Sequence, residues 1–256
     1  MRLNQVIRSK EELLNHFNSS KKLEIRNLEQ TKDLLVMNVP SEVWEDASNS
    51  NLLYFNSQFV QQTKQLKFED KQIEYIQLVY YLTNLTELNL SENKISDISA
   101  VSQLKNLKEL ELRDNRIEDI SALQSLPNLT HLDLYQNEFT SYTLALPNLV
   151  QLQLDSNKLI DTSGLQYSPK LESLNLSQTD ITDLRSIPNQ IFGVKELYLF
   201  QNGITEISYL SNFVNVQKLY LGKNQQLQNI GPLKFCTQLN QVFMKQVLLT
   251  YDLFNL

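Results

Sequence analysis

The sequence is poor in the residues that chemistry and covalent cross-linking require. Among its 256 residues there is one cysteine, and there are two histidines. A single thiol, Cys236, excludes an intrachain disulfide, and within a leucine-rich pattern it reads as a small core residue rather than a nucleophile. His16 and His131 stand at unrelated positions. No glycine-rich phosphate loop, metal-spaced His/Cys cluster or nucleophile elbow occurs. The chain is therefore expected to be no enzyme and to hold no cofactor or metal. Apolar runs of about eighteen residues are also missing, so no membrane-spanning helix is expected. Residues 1–11 hold no apolar stretch of signal-peptide length. With the solitary cysteine, this predicts a cytoplasmic protein, the nucleus being the other compartment open to it. Basic excess is lacking too: 23 Lys and Arg face 29 Asp and Glu, for a net charge of −6. That balance argues against a duplex nucleic-acid partner, whose binding needs a basic stripe.

Five glycines and six prolines are few for this length, whereas Asn and Gln are plentiful. The amides are not a low-complexity tract, because they recur among leucines at fixed spacing. Leu82, Leu85, Leu88, Leu90 and Asn93 return 22 residues later as Leu104, Leu107, Leu110, Leu112 and Asn115. Leu126, Leu129, Leu132, Leu134 and Asn137 form a third copy, and a copy contracted by two residues follows at Leu146, Leu149, Leu152, Leu154 and Asn157. Three more end on Thr179, Asn202 and Asn224. A degenerate copy precedes the series at residues 60–71 and a frayed one closes it from Cys236 to Val247. About nine units thus occupy residues 60–256, and self-similarity of this kind means a stacked repeat array.

Each recurring residue type has a physical task. Leu-x-Leu has a period of two, which predicts a short strand with leucines inward and the intervening residues outward. The Asn that follows sits where the chain leaves the strand, and its amide can satisfy backbone groups stranded inside the stack. The Asn residues should form a structural ladder, with Thr179 a partial substitute and Lys71 and Val247 marking the ends. The return half reads Ile95, Ile98, Val101 and Ile117, Ile120, Leu123. A spacing of three suits 3₁₀ turns, and the short unit leaves no room for a long helix. Stacked strands at about 4.8 Å per unit would build a parallel sheet roughly 40 Å long.

The pattern L-x-x-L-x-x-L-x-L-x-x-N-x-I-x-x-I-x-x-L resembles the 22-residue class of leucine-rich repeats, over about three-quarters of the chain. This class includes a regulatory subunit of a protein phosphatase and the repeat domain of bacterial internalins. The resemblance implies an α/β repeat fold: a right-handed solenoid with a parallel sheet on its concave side and short 3₁₀ or irregular segments on its convex side. It also implies binding of a protein partner on the concave face. A phosphatase regulatory role and an internalin-like secreted or surface adhesin are the two narrower roles it suggests.

Residues 1–59 are expected to cap the first repeat, with a helix opened by the Ser9–Glu12 capping box, strand pieces at 23–25 and 34–37, and the only Trp, Trp44, as a packing residue. A degenerate repeat within this segment is a further expectation. Asn-x-Ser/Thr triplets, those at Asn18, Asn84, Asn128 and Asn175 among them, are as frequent as chance allows in such a composition.

The outward strand positions carry the functional prediction. Tyr198, Phe200, Tyr220 and Phe243 fall on the last three strands, with Tyr135 further back. Acidic residues Glu87, Glu109, Glu111, Asp133 and Asp155 gather on earlier units. Clustered outward aromatics suggest a binding hot spot, and an acidic stretch suggests electrostatic steering. The expected partner is a protein presenting apolar groups flanked by basic residues.

Overall fold

In the computed structural model the described residues are 63–247, apart from 72, 77, 78 and 81, together with the backbone of two short strands nearer the N-terminus. Those strands, β1 (Lys22–Glu24) and β2 (Tyr54–Asn56), pair antiparallel with Leu23 opposite Phe55 and form a sheet of their own. The first lies where a strand piece was expected; the second was not foreseen. The capping-box helix, the piece at 34–37, Trp44 and the C-terminal residues 248–256 lie outside the described residues.

The repeat region builds one open sheet of nine parallel strands in chain order. These are β3 (Gln65–Lys67), β4 (Glu87–Asn89), β5 (Glu109–Glu111), β6 (His131–Asp133), β7 (Gln151–Gln153), β8 (Ser173–Asn175), β9 (Glu196–Tyr198), β10 (Lys218–Tyr220) and β11 (Gln241–Phe243). Every neighbour pair is in register, so the central residues Leu66, Leu88, Leu110, Leu132, Leu152, Leu174, Leu197, Leu219 and Val242 stand in one row. The strands sit one residue earlier than the Leu-x-Leu pattern predicted. The second leucine has already left the strand, yet its N–H still reaches the next unit, as Leu90 N–H to Glu111 O at 2.8 Å shows. Both rows run through the same continuous core, fully buried along its length and half-buried at the ends, at Leu66, Val242 and Met244.

The ladder is present and dense. The Asn115 amide donates to Leu90 O, Leu112 O and Arg113 O, and its Oδ1 accepts from Ile95 N–H at 2.9 Å. Asn93, Asn137 and Asn157 likewise donate to three carbonyls each. All of the ladder amides are buried. Thr179 substitutes as expected, its hydroxyl donating to Leu176 O at 2.7 Å.

The residue just before each ladder position is left-handed. Asp70, Glu92, Asp114, Gln136, Ser156, Gln178, Gln201, Lys223 and Gln246 have φ between 53° and 63°, and no glycine has positive φ. A left-handed non-glycine residue costs roughly 1–2 kcal/mol. At six of the nine an Asn follows and fastens the backbone on both sides. Asp70, Gln178 and Gln246 keep the same φ before Lys71, Thr179 and Val247, so the turn belongs to the stacked repeat and not to the Asn alone. Return segments form 3₁₀ turns at Ser99–Gln103, Ser121–Ser125, Ser163–Tyr167, Leu184–Ser186, Ser208–Asn212 and Gly231–Phe235. A second recurring signal fixes where they start. Asp97, Asp119 and Asp161 each accept the N–H of the serine two residues on, and Glu206 does the same for Ser208.

One unit departs from the pattern. Between β6 and β7 the row of central leucines advances only from Leu132 to Leu152, too short for the usual return. An extended piece bridges Ser141 to Asp161 instead, with Phe139, Tyr142 and Leu144 filling the core. It presses on the next turn so closely that a Cβ on Gly164 would lie 2.5 Å from Leu144 N. Only glycine fits there.

Candidate protein-binding face

The open face of the sheet carries the outward residues of β3–β11, and the fold places the predicted aromatics together at one end. Registered pairing sets Tyr198 beside Tyr220 and Tyr220 beside Phe243. The rings stack: centroids lie 4.2 Å apart with planes 9° from parallel in the first pair, and 4.3 Å and 6° in the second. Parallel strands about 4.8 Å apart impose this spacing. The stack consumes ring faces, so it offers ring edges along its length, and Phe243, 46% exposed at the end, keeps its outer side. The patch is therefore a ridge of electropositive edges and hydroxyls, not the flat apolar surface that outward aromatics alone suggest.

Phe200 joins the patch differently. Its ring lies over Gly222, where a Cβ would come within 3.1 Å of Phe200 Cδ2, and Lys223 Nζ sits 4.9 Å from the ring centre. Gly222 thus makes room for an aromatic on the neighbouring strand. Tyr135 is on the same face, but β7 and β8 separate its unit from β9, so it stands apart from the stack.

Cations surround the aromatic end. Lys218 Nζ lies 2.6 Å from Glu196 Oε1, and the Tyr198 hydroxyl donates to Glu196 Oε2 at 3.1 Å. Lys218 holds the Glu196 carboxyl below its ordinary range. Burial, and then the neighbouring Glu196, push the Tyr198 hydroxyl well above its own. Over 190–247 the charges are Lys195, Lys218, Lys223, Lys234 and Lys245 against Glu196 and Glu206, so this end is locally basic.

The acidic residues also share the face, but they are less free than their sequence suggests. Glu87 accepts from Gln65 Nε2 at 2.7 Å, and Glu111 accepts from the Asn89 amide. Asp133 turns back to accept Tyr135 N–H at 2.9 Å. Arg113 lies in the middle of the acidic stretch and is gripped by Glu69 and Glu92. Burial raises the Glu111 and Asp133 carboxyls. It takes Asp155 to about 6, with the charge of Asp133 adding to the shift.

Sequence reading passed over a second amide row on the rim where the chain enters the strands. Asn106 donates to Thr83 O, Asn128 to Lys105 O, Asn148 to Pro127 O and Asn215 to Phe192 O, all at 2.7–2.9 Å. Its signal was visible, since these residues recur two positions after Leu104, Leu126, Leu146 and Phe213, the first apolar residue of four units. Cys236 is a buried core residue as predicted, its Sγ 3.6 Å from Leu210 O.

Family models described as leucine-rich repeats in two copies match residues 83–125, 105–145 and 193–244, and a single-copy leucine-rich-repeat model matches 167–184. The chain belongs to the leucine-rich-repeat family. The unmatched gap at 146–166 covers the stretch joined to the contracted unit. Among solved structures it is similar to an internalin C2 from Listeria monocytogenes, at 27% identity and a TM-score of 0.68, covering 77% of this chain and 87% of that one. It also shares its fold with the plant peptide hormone receptor RGFR1, solved in complex with RGF2. There the identity is 20% and the TM-score 0.59, with 73% of this chain and 32% of the receptor chain covered. No curated protein matches the sequence. A leucine-rich-repeat array of this kind is a protein-interaction module. No helix among the described residues is long and apolar enough to cross a membrane.

Proposed function

We propose that the protein is a non-catalytic scaffold that binds a protein partner on the open, concave side of its sheet, with Tyr198, Phe200, Tyr220 and Phe243 as the anchor. The observation that carries this reading is the stacked ridge of Tyr198, Tyr220 and Phe243. Rigid aromatics held in one orientation offer contact area at low entropic cost, and truncating such an anchor typically costs about 2 kcal/mol or more of binding. Partner apolar groups seat on the ridge, and its basic residues face Glu87, Glu109, Glu111, Asp133 and Asp155. Lys245 calls for an acidic group at the other flank, Lys218 being already paired with Glu196.

The test is capture of partners by the wild type and by the Tyr198→Ala/Tyr220→Ala variant, each identified by mass spectrometry. The double variant should lose the partner, whereas Phe192→Ser/Val214→Ser, exposed but off the strands, should keep it. Because the rings stack, the double variant should also lose about 1–2 kcal/mol of stability, so binding is measured well below its unfolding midpoint. Equal capture by all three proteins sinks the assignment.

The likeness to an internalin C2 favours a second reading, that of a surface adhesin. Protease accessibility on intact cells separates it from a cytoplasmic scaffold: shaving removes the adhesin and spares the scaffold.

A further inference from the structure

The ladder has one weak rung, and that rung carries a reactive dipeptide. Asn202-Gly203 is the only Asn-Gly in the 256 residues. An Asn side chain followed by glycine is open to attack by the next backbone nitrogen, because glycine offers no side chain to obstruct the five-membered ring. Ladder hydrogen bonds oppose this reaction in two ways: they pin the amide, and they tie down the attacking N–H. At Asn93, Asn115, Asn137 and Asn157 the amide donates three times. At Asn202 it donates once, to Leu176 O at 2.8 Å, while Oδ1 accepts from Thr179 N–H. The following N–H is bonded at Lys94, Arg116 and Glu138, each to an Ile carbonyl of the preceding unit. Gly203 N–H makes no such bond among the described residues, and neither do Lys158 N–H after Asn157 and Gln225 N–H after Asn224. Those two amides still donate three times and twice, so only Asn202 combines a singly donating amide, an untied N–H and a following glycine. The cause is local: Thr179 replaces an Asn, Asp180 adds a second left-handed residue, and the central row steps 23 residues from Leu174 to Leu197.

We propose that Asn202 is a deamidation site built into the repeat array, the first of the ladder amides to convert. Gly203 N attacks Asn202 Cγ, the new C–N bond closes a succinimide, and the side-chain nitrogen leaves as ammonia, carrying the proton lost by Gly203. Water then opens the ring to aspartate or isoaspartate, with no oxidant or reductant needed. The product carboxylate has no N–H for Leu176 O and places a charge where 91% of the residue's surface is buried. Conversion therefore loosens the joint between β8 and β9, behind which lie the three strands of the aromatic ridge.

Peptide mapping by mass spectrometry after incubation of the intact protein at 37 °C and mildly alkaline pH tests this. The acid form should accumulate at Asn202 before any other ladder Asn. Gly203→Ala should slow it at least tenfold, and this variant should fold, because the added Cβ meets only the Thr182 methyl at 2.9 Å. Asn202→Asp, made directly, should unfold at lower denaturant than wild type. Conversion first at Asn115, Asn157 or any other rung, equal rates in Gly203→Ala, or an unchanged midpoint in Asn202→Asp would each overturn the proposal.

Discussion

At the residue scale, what each side chain contributes depends on how many backbone groups it can reach. Asn115 makes four hydrogen bonds from a buried site, so Asn115→Ala should strip partners from Leu90 O, Leu112 O and Ile95 N–H together. A loss of about 1–3 kcal/mol is expected, because buried unpaired polar groups carry their full desolvation penalty. Denaturant unfolding measures it, and an unchanged midpoint would contradict the ladder's structural role. Asp155 acts with the opposite sign. Its folded carboxyl titrates near 6, against 3.8 for an ordinary one. Between these values the folded protein holds a proton that the unfolded chain releases, so this group's contribution to stability rises as pH falls from above 6 to below 4. Asp155→Asn should therefore stabilise at pH 7.5 by about 1 kcal/mol, a figure reduced because the face is partly solvated. The gain should fade by pH 4. If instead the variant were no more stable than wild type at the higher pH, burial of that charge is not the dominant effect.

At the scale of the element, the unit is short, and what fills its return half decides its geometry. Where Asp-x-Ser recurs, the carboxylate starts a 3₁₀ turn. Where the unit shrinks, no 3₁₀ turn separates β6 from β7, and Tyr142 and Phe139 take the space. Gly164 is the hinge of that compromise. Gly164→Ala would drive a methyl into the backbone of Thr143 and Leu144, and neither can yield as a flexible side chain would. We expect a loss of about 1–3 kcal/mol, as for overpacked cores, read as a lowered thermal midpoint. Retention of the wild-type midpoint would mean that the extended piece is free to shift. The strand is the other short element. With three residues it is too brief to be stable alone, and it exists because eight neighbours repeat it in register.

For the whole molecule, charge is unevenly spread along the stack. Acidic side chains dominate the face of β4–β7, whereas Lys218, Lys223 and Lys245 surround the aromatic ridge. Charges at the rim of an interface steer encounter more than they hold the complex. Glu87→Lys with Glu109→Lys should therefore slow association several-fold and flatten its salt dependence, with little change in dissociation rate. Stopped-flow mixing at two ionic strengths reads both. A variant effect confined to the dissociation rate would assign these carboxylates to the anchored core instead.

How much was legible in the sequence follows from the same scales. The repeat period, the inward leucines and the Asn ladder were readable because each is a local pattern that the stack merely copies. So was the set of outward residues, since a period of two assigns every second side chain to one face. Other features needed the third dimension. That Tyr198, Tyr220 and Phe243 bury their faces in one another depends on strand spacing and rotamer, which no spacing of letters encodes. Arg113 moderates the acidic stretch through Glu69 and Glu92, from units two strands and one strand away. The weak rung at Asn202 arises from a longer unit and a Thr in the preceding one, so its missing bonds appear only when the units are stacked. The sequence by itself determined the repeat and its inside and outside, because burial of leucine is enforced residue by residue. The tertiary structure alone decided which outward side chains touch, pair or stay free, because those contacts join residues about twenty positions apart and depend on angles that hydrophobic periodicity leaves open.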